Sequence, residues 1–84
     1  MAKTLNGFLV YGQPGCEWCE RAVTLLERFG HPFVYFDVKE EPHHMIRLRA
    51  LNLPKLTVPQ VWIGDKHIGG HDDLKRYLRE FDEA

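Results

Sequence analysis

Two cysteines, Cys16 and Cys19, lie where a strand-like apolar run changes into a helix-like amphipathic run. The chain of 84 residues contains no other cysteine, so any sulfur chemistry is confined to this point. A Cys-x-x-Cys pair at a strand-to-helix junction, within a strand–helix–strand pattern, indicates a redox-active dithiol. The N-terminus of a helix carries unpaired N–H groups and the positive end of the helix dipole, and both favour thiolate over thiol.

Length and composition narrow the class of protein. Eighty-four residues predict one small domain spanning residues 1–84. With 44% apolar and 27% charged residues, the chain has the composition of a folded globular protein. A formal net charge of −1 with interspersed signs argues against nucleic-acid binding. No signal peptide and no apolar run of about 20 residues is visible, so we expect a cytoplasmic protein without membrane contact.

Apolar periodicity in the first half predicts a strand, a helix, a second strand and a second helix. The first strand is expected over residues 5–11. The buried stripe of the following helix ends at Phe29, and Gly30 and Pro32 are expected to stop the helix. Residues 33–38 are rich in aromatic and β-branched side chains, which favours a strand in the centre of a sheet. The second helix is expected from Pro42 to about Asn52.

The second half predicts a β-hairpin and a final helix. Residues 59–63 and 66–68 are separated by a Gly-Asp turn. Four apolar residues then follow helical spacing: Leu74, Tyr77, Leu78 and Phe81. We expect the first two strands to be parallel, with a right-handed crossover, and the last two to be antiparallel. The prediction is an α/β fold of order β-α-β-α-β-β-α, with a four-stranded mixed sheet flanked by three helices.

A structural disulfide and a zinc site are the alternatives to a redox role for the cysteine pair. A structural disulfide would close a loop of about four residues, worth only about 2 kcal/mol in the chain-entropy model, and the cytosol would reduce it. A zinc site would need four ligands, of which the pair supplies two. Histidines could complete such a site, but no second Cys-x-x-Cys occurs; the histidines are His31, His43, His44, His67 and His71, of which His67 and His71 alone have a His-x₃-His spacing. Redox chemistry is therefore favoured.

Three motifs, in order, resemble those of the dithiol glutaredoxins. They are the cysteine pair, Thr57-Val58-Pro59, and Gly69-Gly70-His71-Asp72-Asp73-Leu74. The similarity extends from about Leu5 to Phe81. It implies a thioredoxin-like fold and a monomeric oxidoreductase of electron transport and redox homeostasis. With glutathione as co-substrate, such an enzyme reduces protein disulfides and glutathione-mixed disulfides.

The resemblance also implies roles for single residues. Cys16 is the nucleophile, at the exposed first position of the helix, and Cys19 is the more buried resolving thiol. This asymmetry suits thiol–disulfide exchange, which needs a reachable attacking thiolate and a sheltered partner. The Val58–Pro59 bond is expected to be cis, whereas a generic X-Pro bond would be expected trans. The Val58 backbone would then pair with the cysteinyl unit of glutathione.

The third motif would hold the other end of the tripeptide. Gly69 and Gly70 would let the backbone approach the ligand closely, although two glycines also simply end a strand. The N–H groups of His71 and Asp72 would receive the γ-glutamyl carboxylate. The Asp72 carboxylate would pair with the amino group, but helix capping also explains an aspartate there. The implied glutathione-binding residues are Gln13, Trp18, Thr57, Val58, Pro59, Gly70, His71 and Asp72.

The chain departs from the family pattern beside the nucleophile. Glu17 replaces a common proline and Gln13 a common lysine, so both changes oppose a thiolate at Cys16. Glu17 could instead pair with Arg21 one turn along the helix. His71 replaces a common cysteine at a position expected to act through its backbone. The glycinyl carboxylate of glutathione then needs another cation. The candidates are Arg47, Arg49 and Lys55. Their alternative interpretation is a basic helix face exposed to solvent.

Three alternative functions remain open from the sequence. A small redoxin of this kind could be reduced by thioredoxin reductase and donate electrons to ribonucleotide reductase, although the Gly-Gly-x-Asp segment argues for glutathione. A non-enzymatic iron–sulfur carrier could use Cys16 with external glutathione between two protomers, and Cys19 argues against it. A zinc-binding interaction module is the third alternative.

Overall fold

The computed structural model describes residues 7–82. The predicted start of the first strand, Leu5, and the side chain of Phe81 lie outside the described part. The elements are β1 (Phe8–Gly12), α1 (Glu17–Arg28), β2 (Phe33–Asp37), α2 (His44–Arg49), β3 (Gln60–Ile63), β4 (Lys66–Gly69) and α3 (His71–Asp82). The predicted order β-α-β-α-β-β-α is confirmed.

The four strands form one mixed sheet in the order β2-β1-β3-β4. As predicted, β1 pairs in parallel with β2, and β3 pairs antiparallel with β4. The structure adds an antiparallel pairing of β1 with β3. The prediction that β2 is central is wrong, because β2 is an edge strand in which Val34 is 51% and Tyr35 39% exposed. An aromatic and β-branched composition favours a strand but does not say how many neighbours it has.

Apolar side chains fill both faces of the sheet. Phe8 and Val10 of β1 pack with residues of α1, β3 and α3 in one cluster, completed by Ala22, Leu26, Val61, Leu74 and Leu78. Leu9 and Tyr11 belong to a second cluster with Val38, Leu48 and Trp62. Successive residues of a strand point to opposite faces. Helices α1 and α3 therefore cover one face, and α2 covers the other.

Helix α1 ends at the glycine predicted to stop it. Gly30 has φ +74°, a left-handed conformation that glycine adopts without a Cβ penalty. Its N–H donates to the Glu27 carbonyl at 3.1 Å, and the His31 N–H donates to the Leu26 carbonyl at 3.0 Å. These two bonds form a Schellman motif, which satisfies carbonyls at the helix end and turns the chain back toward β2.

Helix α2 is shorter at both ends than predicted, with only six residues. The Met45 N–H donates to the Pro42 carbonyl at 2.9 Å, and the Asn52 N–H to the Arg49 carbonyl at 3.0 Å. Both bonds span three residues, so the flanking segments are tighter turns than an α-helix. Apolar spacing alone does not distinguish such turns from helix. The longest described helices, α1 and α3, have twelve residues each, and no helix within residues 7–82 is long and apolar enough to cross a membrane.

Candidate active site

Cys16 is the N-cap of α1, whereas the sequence predicted it at the first helical position. Its backbone is extended, with φ −100° and ψ 106°. Its Sγ atom accepts a hydrogen bond from the Cys19 N–H at 3.1 Å, and the Glu20 N–H donates to its carbonyl at 3.1 Å. A first-turn N–H without a helical partner therefore points at the sulfur, as at other N-caps.

The two sulfurs are joined in a disulfide, with 5.2 Å between the α-carbons. Cys19 is fully buried, whereas Cys16 is only partly buried, which is the asymmetry that the sequence predicted. The Cβ position that Gly12 lacks lies 2.9 Å from Cys19 Sγ and also against the Tyr35 hydroxyl. Only glycine therefore fits at the end of β1, beside the sheltered sulfur.

Tyr35 connects this region to the loop before the cysteines. Its hydroxyl donates a hydrogen bond of 3.4 Å to the Gln13 carbonyl. Burial is the main cause that raises the pKa of Tyr35, and Asp37 and Glu20 add to it. The phenol thus stays protonated at neutral pH and keeps its donor.

The Val58–Pro59 peptide bond is cis, so the expectation drawn from the family resemblance is confirmed. The Val58 carbonyl oxygen lies 3.9 Å from Cys16 Sγ. The loop before β3 therefore runs directly beside the partly exposed sulfur.

A buried glutamine, which the sequence analysis missed, holds this loop. Gln60 is 4% exposed, and its amide donates to the Thr57 carbonyl at 3.0 Å. Its Oε1 lies 2.7 Å from Nε2 of His67 on β4. Burial lowers the pKa of His67, and Asp73 partly opposes this shift. The sequence signal that could have identified Gln60 is a polar residue directly after Pro59, at a position of the predicted strand that faces inward.

Two adjacent aspartates in the first turn of α3 make different contacts. Asp73 accepts a hydrogen bond from the Gly70 N–H at 3.2 Å, which caps the helix as in a capping box. Gly69 has φ +129°, and a Cβ there would overlap the Asp73 carboxylate. The Asp72 side chain is 86% exposed, and its carboxylate lies 3.0 Å from Nδ1 of His71. Capping therefore accounts for Asp73 and not for Asp72.

Seven of the eight predicted glutathione-binding residues line one groove of about 430 Å³, which we call the α3-side groove. They are Trp18, Thr57, Val58, Pro59, Gly70, His71 and Asp72. The eighth, Gln13, lines a second groove on the other side of Trp18, together with Cys16, Glu17 and Met45. We call this second one the α2-side groove. Gln13 is therefore missing from the α3-side groove, but it shares the α2-side groove with Trp18, Thr57 and Val58, which line both.

Trp18 lines both grooves and is 49% exposed. The Arg21 guanidinium lies 4.7 Å from the centre of its ring, and the His71 ring lies 5.0 Å away. His71 thus contributes a side chain where only its backbone was expected to act. Arg21 also pairs with Glu17 at 2.6 Å, which confirms the predicted contact. The negative charge beside Cys16 is therefore partly balanced.

The three candidate cations have different surroundings. Arg47 lies over the Trp62 ring at 4.6 Å and donates to the Tyr11 hydroxyl at 3.3 Å. Arg49 is exposed on α2 and does not line the α3-side groove. Lys55 does line it. Of the three, Lys55 alone is placed to meet an anion bound there.

Together these features define a class of protein. A reachable sulfur caps a helix, a buried partner lies one turn further, and both are mounted on a four-stranded mixed sheet of the thioredoxin-like type. Such a pair can open by attack of a thiolate and close again, so the site supports thiol–disulfide exchange.

The family follows from comparison with known proteins. The glutaredoxin family model matches residues 8–68. The chain is 39% identical over 66 residues to a glutaredoxin of Pseudomonas aeruginosa, covering 79% of this chain and 77% of that protein. It is 40% identical over 69 residues to hybrid peroxiredoxin hyPrx5 of Haemophilus influenzae, covering 82% of this chain but only 28% of that protein. The chain belongs to the glutaredoxin family, in its dithiol type, and is a thiol–disulfide oxidoreductase.

Solved structures of glutaredoxins have the same fold as this chain. Reduced glutaredoxin of Escherichia coli superposes with a TM-score of 0.78 at 27% identity, covering 93% of this chain and 99% of that one. A complex of buckwheat glutaredoxin with glutathione gives a TM-score of 0.74 at 28% identity, covering 93% and 74% of the two chains. The thioredoxin-like fold expected from the sequence is confirmed.

Proposed function

We propose that this protein is a glutathione-dependent oxidoreductase that reduces glutathione-mixed disulfides and protein disulfides. The observation that carries the proposal is the position of Cys16. Its sulfur lies 3.9 Å from the Val58 carbonyl, and Val58 lines the α3-side groove with six other residues that the family resemblance assigns to glutathione.

Mixed disulfides need only the reachable sulfur. The Cys16 thiolate attacks the glutathione sulfur, a new Cys16–glutathione disulfide forms, and the protein leaves as a thiolate. A second glutathione thiolate then attacks the bound glutathione sulfur, so that glutathione disulfide leaves and the Cys16 thiolate returns. The Cys19 N–H, 3.1 Å from the sulfur in the oxidised form, supports the anionic state.

Protein disulfides need both sulfurs. After Cys16 has formed a mixed disulfide with the substrate, the Cys19 thiolate attacks Cys16 Sγ, the substrate sulfur leaves, and the Cys16–Cys19 disulfide forms. Two glutathione molecules then reduce this disulfide in successive exchanges. Full burial of Cys19 suits a thiol that reacts with its neighbour rather than with outside molecules.

The α3-side groove offers complementary groups for each part of the tripeptide. The Val58 backbone would pair with the cysteinyl unit, and the N–H groups of His71 and Asp72 would receive the γ-glutamyl carboxylate. The exposed Asp72 carboxylate would pair with the amino group, and Lys55 with the glycinyl carboxylate. Similarity to a glutaredoxin solved with glutathione supports this assignment.

The expected partners are glutathione and glutathionylated or disulfide-containing proteins, among which ribonucleotide reductase is one candidate. Cytoplasm, with its reduced glutathione pool, is the proposed compartment, and a monomer is the proposed working form. The alternative electron source is thioredoxin reductase, which would make the glutathione groove dispensable.

A coupled assay tests the proposal. Reduction of a glutathione-mixed disulfide is followed with glutathione and glutathione reductase, and separately with thioredoxin reductase as donor. Cys16→Ser should abolish turnover, whereas Cys19→Ser should keep mixed-disulfide activity and lose activity on protein disulfides. Faster turnover with thioredoxin reductase than with glutathione would contradict the proposal.

A further inference from the structure

Three side chains with metal-ligating atoms lie outside both grooves, in the turn between β2 and α2 and at the first residue of α2. One ligand atom from each of Glu41, His43 and His44 lies within 4.8 Å of the other two. Glu41 Oε1 and His44 Nε2 are 2.8 Å apart, and the His43 and His44 ring centres are 4.1 Å apart. We propose that Glu41, His43 and His44 bind a divalent zinc ion.

The donor set has the chemistry that zinc prefers. Two imidazole nitrogens and a carboxylate oxygen are common zinc ligands, with bonds of about 2.0–2.2 Å. Tetrahedral ligand atoms at that distance lie about 3.3 Å from one another. The ligand atoms lie within 4.8 Å of one another, with Glu41 and His44 at 2.8 Å, so small adjustments would bring them to that spacing. Glu41 and His43 are exposed, which leaves their side chains room to rotate. A fourth position stays open for water.

The turn itself is held in place, which lowers the cost of assembling the site. The Asp37 carboxylate accepts hydrogen bonds from the N–H groups of Lys39 at 2.9 Å and Glu40 at 3.1 Å. The Glu41 N–H donates to the Asp37 carbonyl at 3.1 Å, and the His44 N–H donates to the Glu41 carbonyl at 3.0 Å. The backbone between the ligands is therefore already ordered.

One of the ligands is anchored in the core. The His44 ring lies 4.6 Å from Phe36 and 5.6 Å from Tyr11, centre to centre. Its side chain is only 12% exposed. The next residue, Met45, lines the α2-side groove beside Cys16. A zinc ion here would tie the exposed turn to the second apolar cluster, beside one wall of that groove.

The test uses the oxidised protein without a histidine tag, because the disulfide keeps both cysteines from binding metal. Calorimetric titration with zinc chloride should show one saturable site per chain. His43→Gln and Glu41→Gln should each weaken binding about tenfold or more. His31→Gln, which removes a partly buried histidine before the other end of β2, should leave affinity unchanged.

A second measurement locates the metal. In NMR spectra, zinc should shift resonances of His43 and His44 and those of the neighbouring rings of Tyr11 and Phe36, and a chelator should reverse the shifts. Circular dichroism checks that each variant is folded. Absence of saturable binding to the oxidised protein, or binding that survives the combined His43→Gln and Glu41→Gln changes, would overturn the proposal.

Discussion

Cys16 experiences two local electrostatic influences of opposite sign. The N-terminus of α1 and the Cys19 N–H favour its thiolate. The adjacent Glu17 carboxylate opposes it, but Glu17 is paired with Arg21 at 2.6 Å on an exposed helix face. Exposed pairs are weak and screened by solvent, so the opposition is reduced rather than removed.

Glu17→Gln should therefore make Cys16 more reactive. In a Cys19→Ser background, loss of the negative charge beside Cys16 should roughly double the alkylation rate of its thiol at pH 7. Iodoacetamide kinetics measure this rate. Glu27→Gln makes the same charge change at the far end of α1 and should have no effect. Equal rates for the two variants would contradict this account of Cys16.

Gly12 is the second residue at which local packing makes a sharp prediction. Gly12→Ala places a methyl group against Cys19 Sγ and the Tyr35 hydroxyl, and overpacking of this kind costs about 1–3 kcal/mol. Urea unfolding of the oxidised protein should show that loss. Gly7→Ala is the matched control, because its nearest non-neighbouring atom is the Pro32 carbonyl oxygen at 3.9 Å. Equal losses at both sites would show that the close approach at Gly12 is unimportant.

At the scale of elements, the first turn of α3 combines a structural and a binding role. Both Asp72 and Asp73 line the α3-side groove. The Asp73 carboxylate caps the helix through the Gly70 N–H, whereas the Asp72 side chain is 86% exposed to solvent. The two adjacent aspartates thus differ in role because their side chains point in different directions from the helix.

Paired substitutions separate the two tasks. Asp73→Ala should lower the free energy of unfolding by about 1 kcal/mol, as for other lost helix caps. Asp72→Ala makes the same charge change and should leave stability unchanged while raising the KM for glutathione. Thermal melting and steady-state kinetics of both variants check this. The assignment fails if Asp72→Ala is the destabilising change, or if only Asp73→Ala raises the KM.

At the scale of the whole molecule, the His67–Gln60 contact connects β4 through β3 to the loop beside Cys16. Gln60 bonds Thr57 on one side and His67 on the other. Burial lowers the pKa of His67, so the folded protein binds a proton there less readily than the unfolded chain. Because the pKa of His67 differs between the folded and unfolded states, the free energy of unfolding depends on pH.

The sign of that dependence follows from proton linkage. As pH falls through the ordinary histidine pKa of about 6.5, the unfolded chain takes up a proton at position 67 before the folded protein does. Stability from this residue is therefore present above that pH and is lost as the pH falls toward the lower folded pKa. Urea unfolding between pH 7.5 and 5.5 should show a smaller decrease for His67→Gln than for the wild type. An unchanged pH slope in His67→Gln would contradict the prediction.

Features that depend on neighbouring residues in the chain were predictable. The Cys-x-x-Cys spacing, the helical stripe that ends before Gly30 and the Gly-Asp hairpin turn are local patterns, and the order of elements followed from them. The groove residues followed from family motifs rather than from chemistry alone, and seven of them lie together. Gln13 does not, because the loop that carries it faces the α2 side of Trp18.

The sequence by itself determined the redox pair, the order of strands and helices, and the positions where helix α1 must stop, since short-range sterics and periodicity decide these. Only the tertiary structure decided that β2 is an edge strand, that Lys55 rather than Arg47 faces the groove, and that Glu41, His43 and His44 converge. Each of these depends on which surfaces pack together and on side-chain directions in a turn. A one-dimensional pattern does not contain that information.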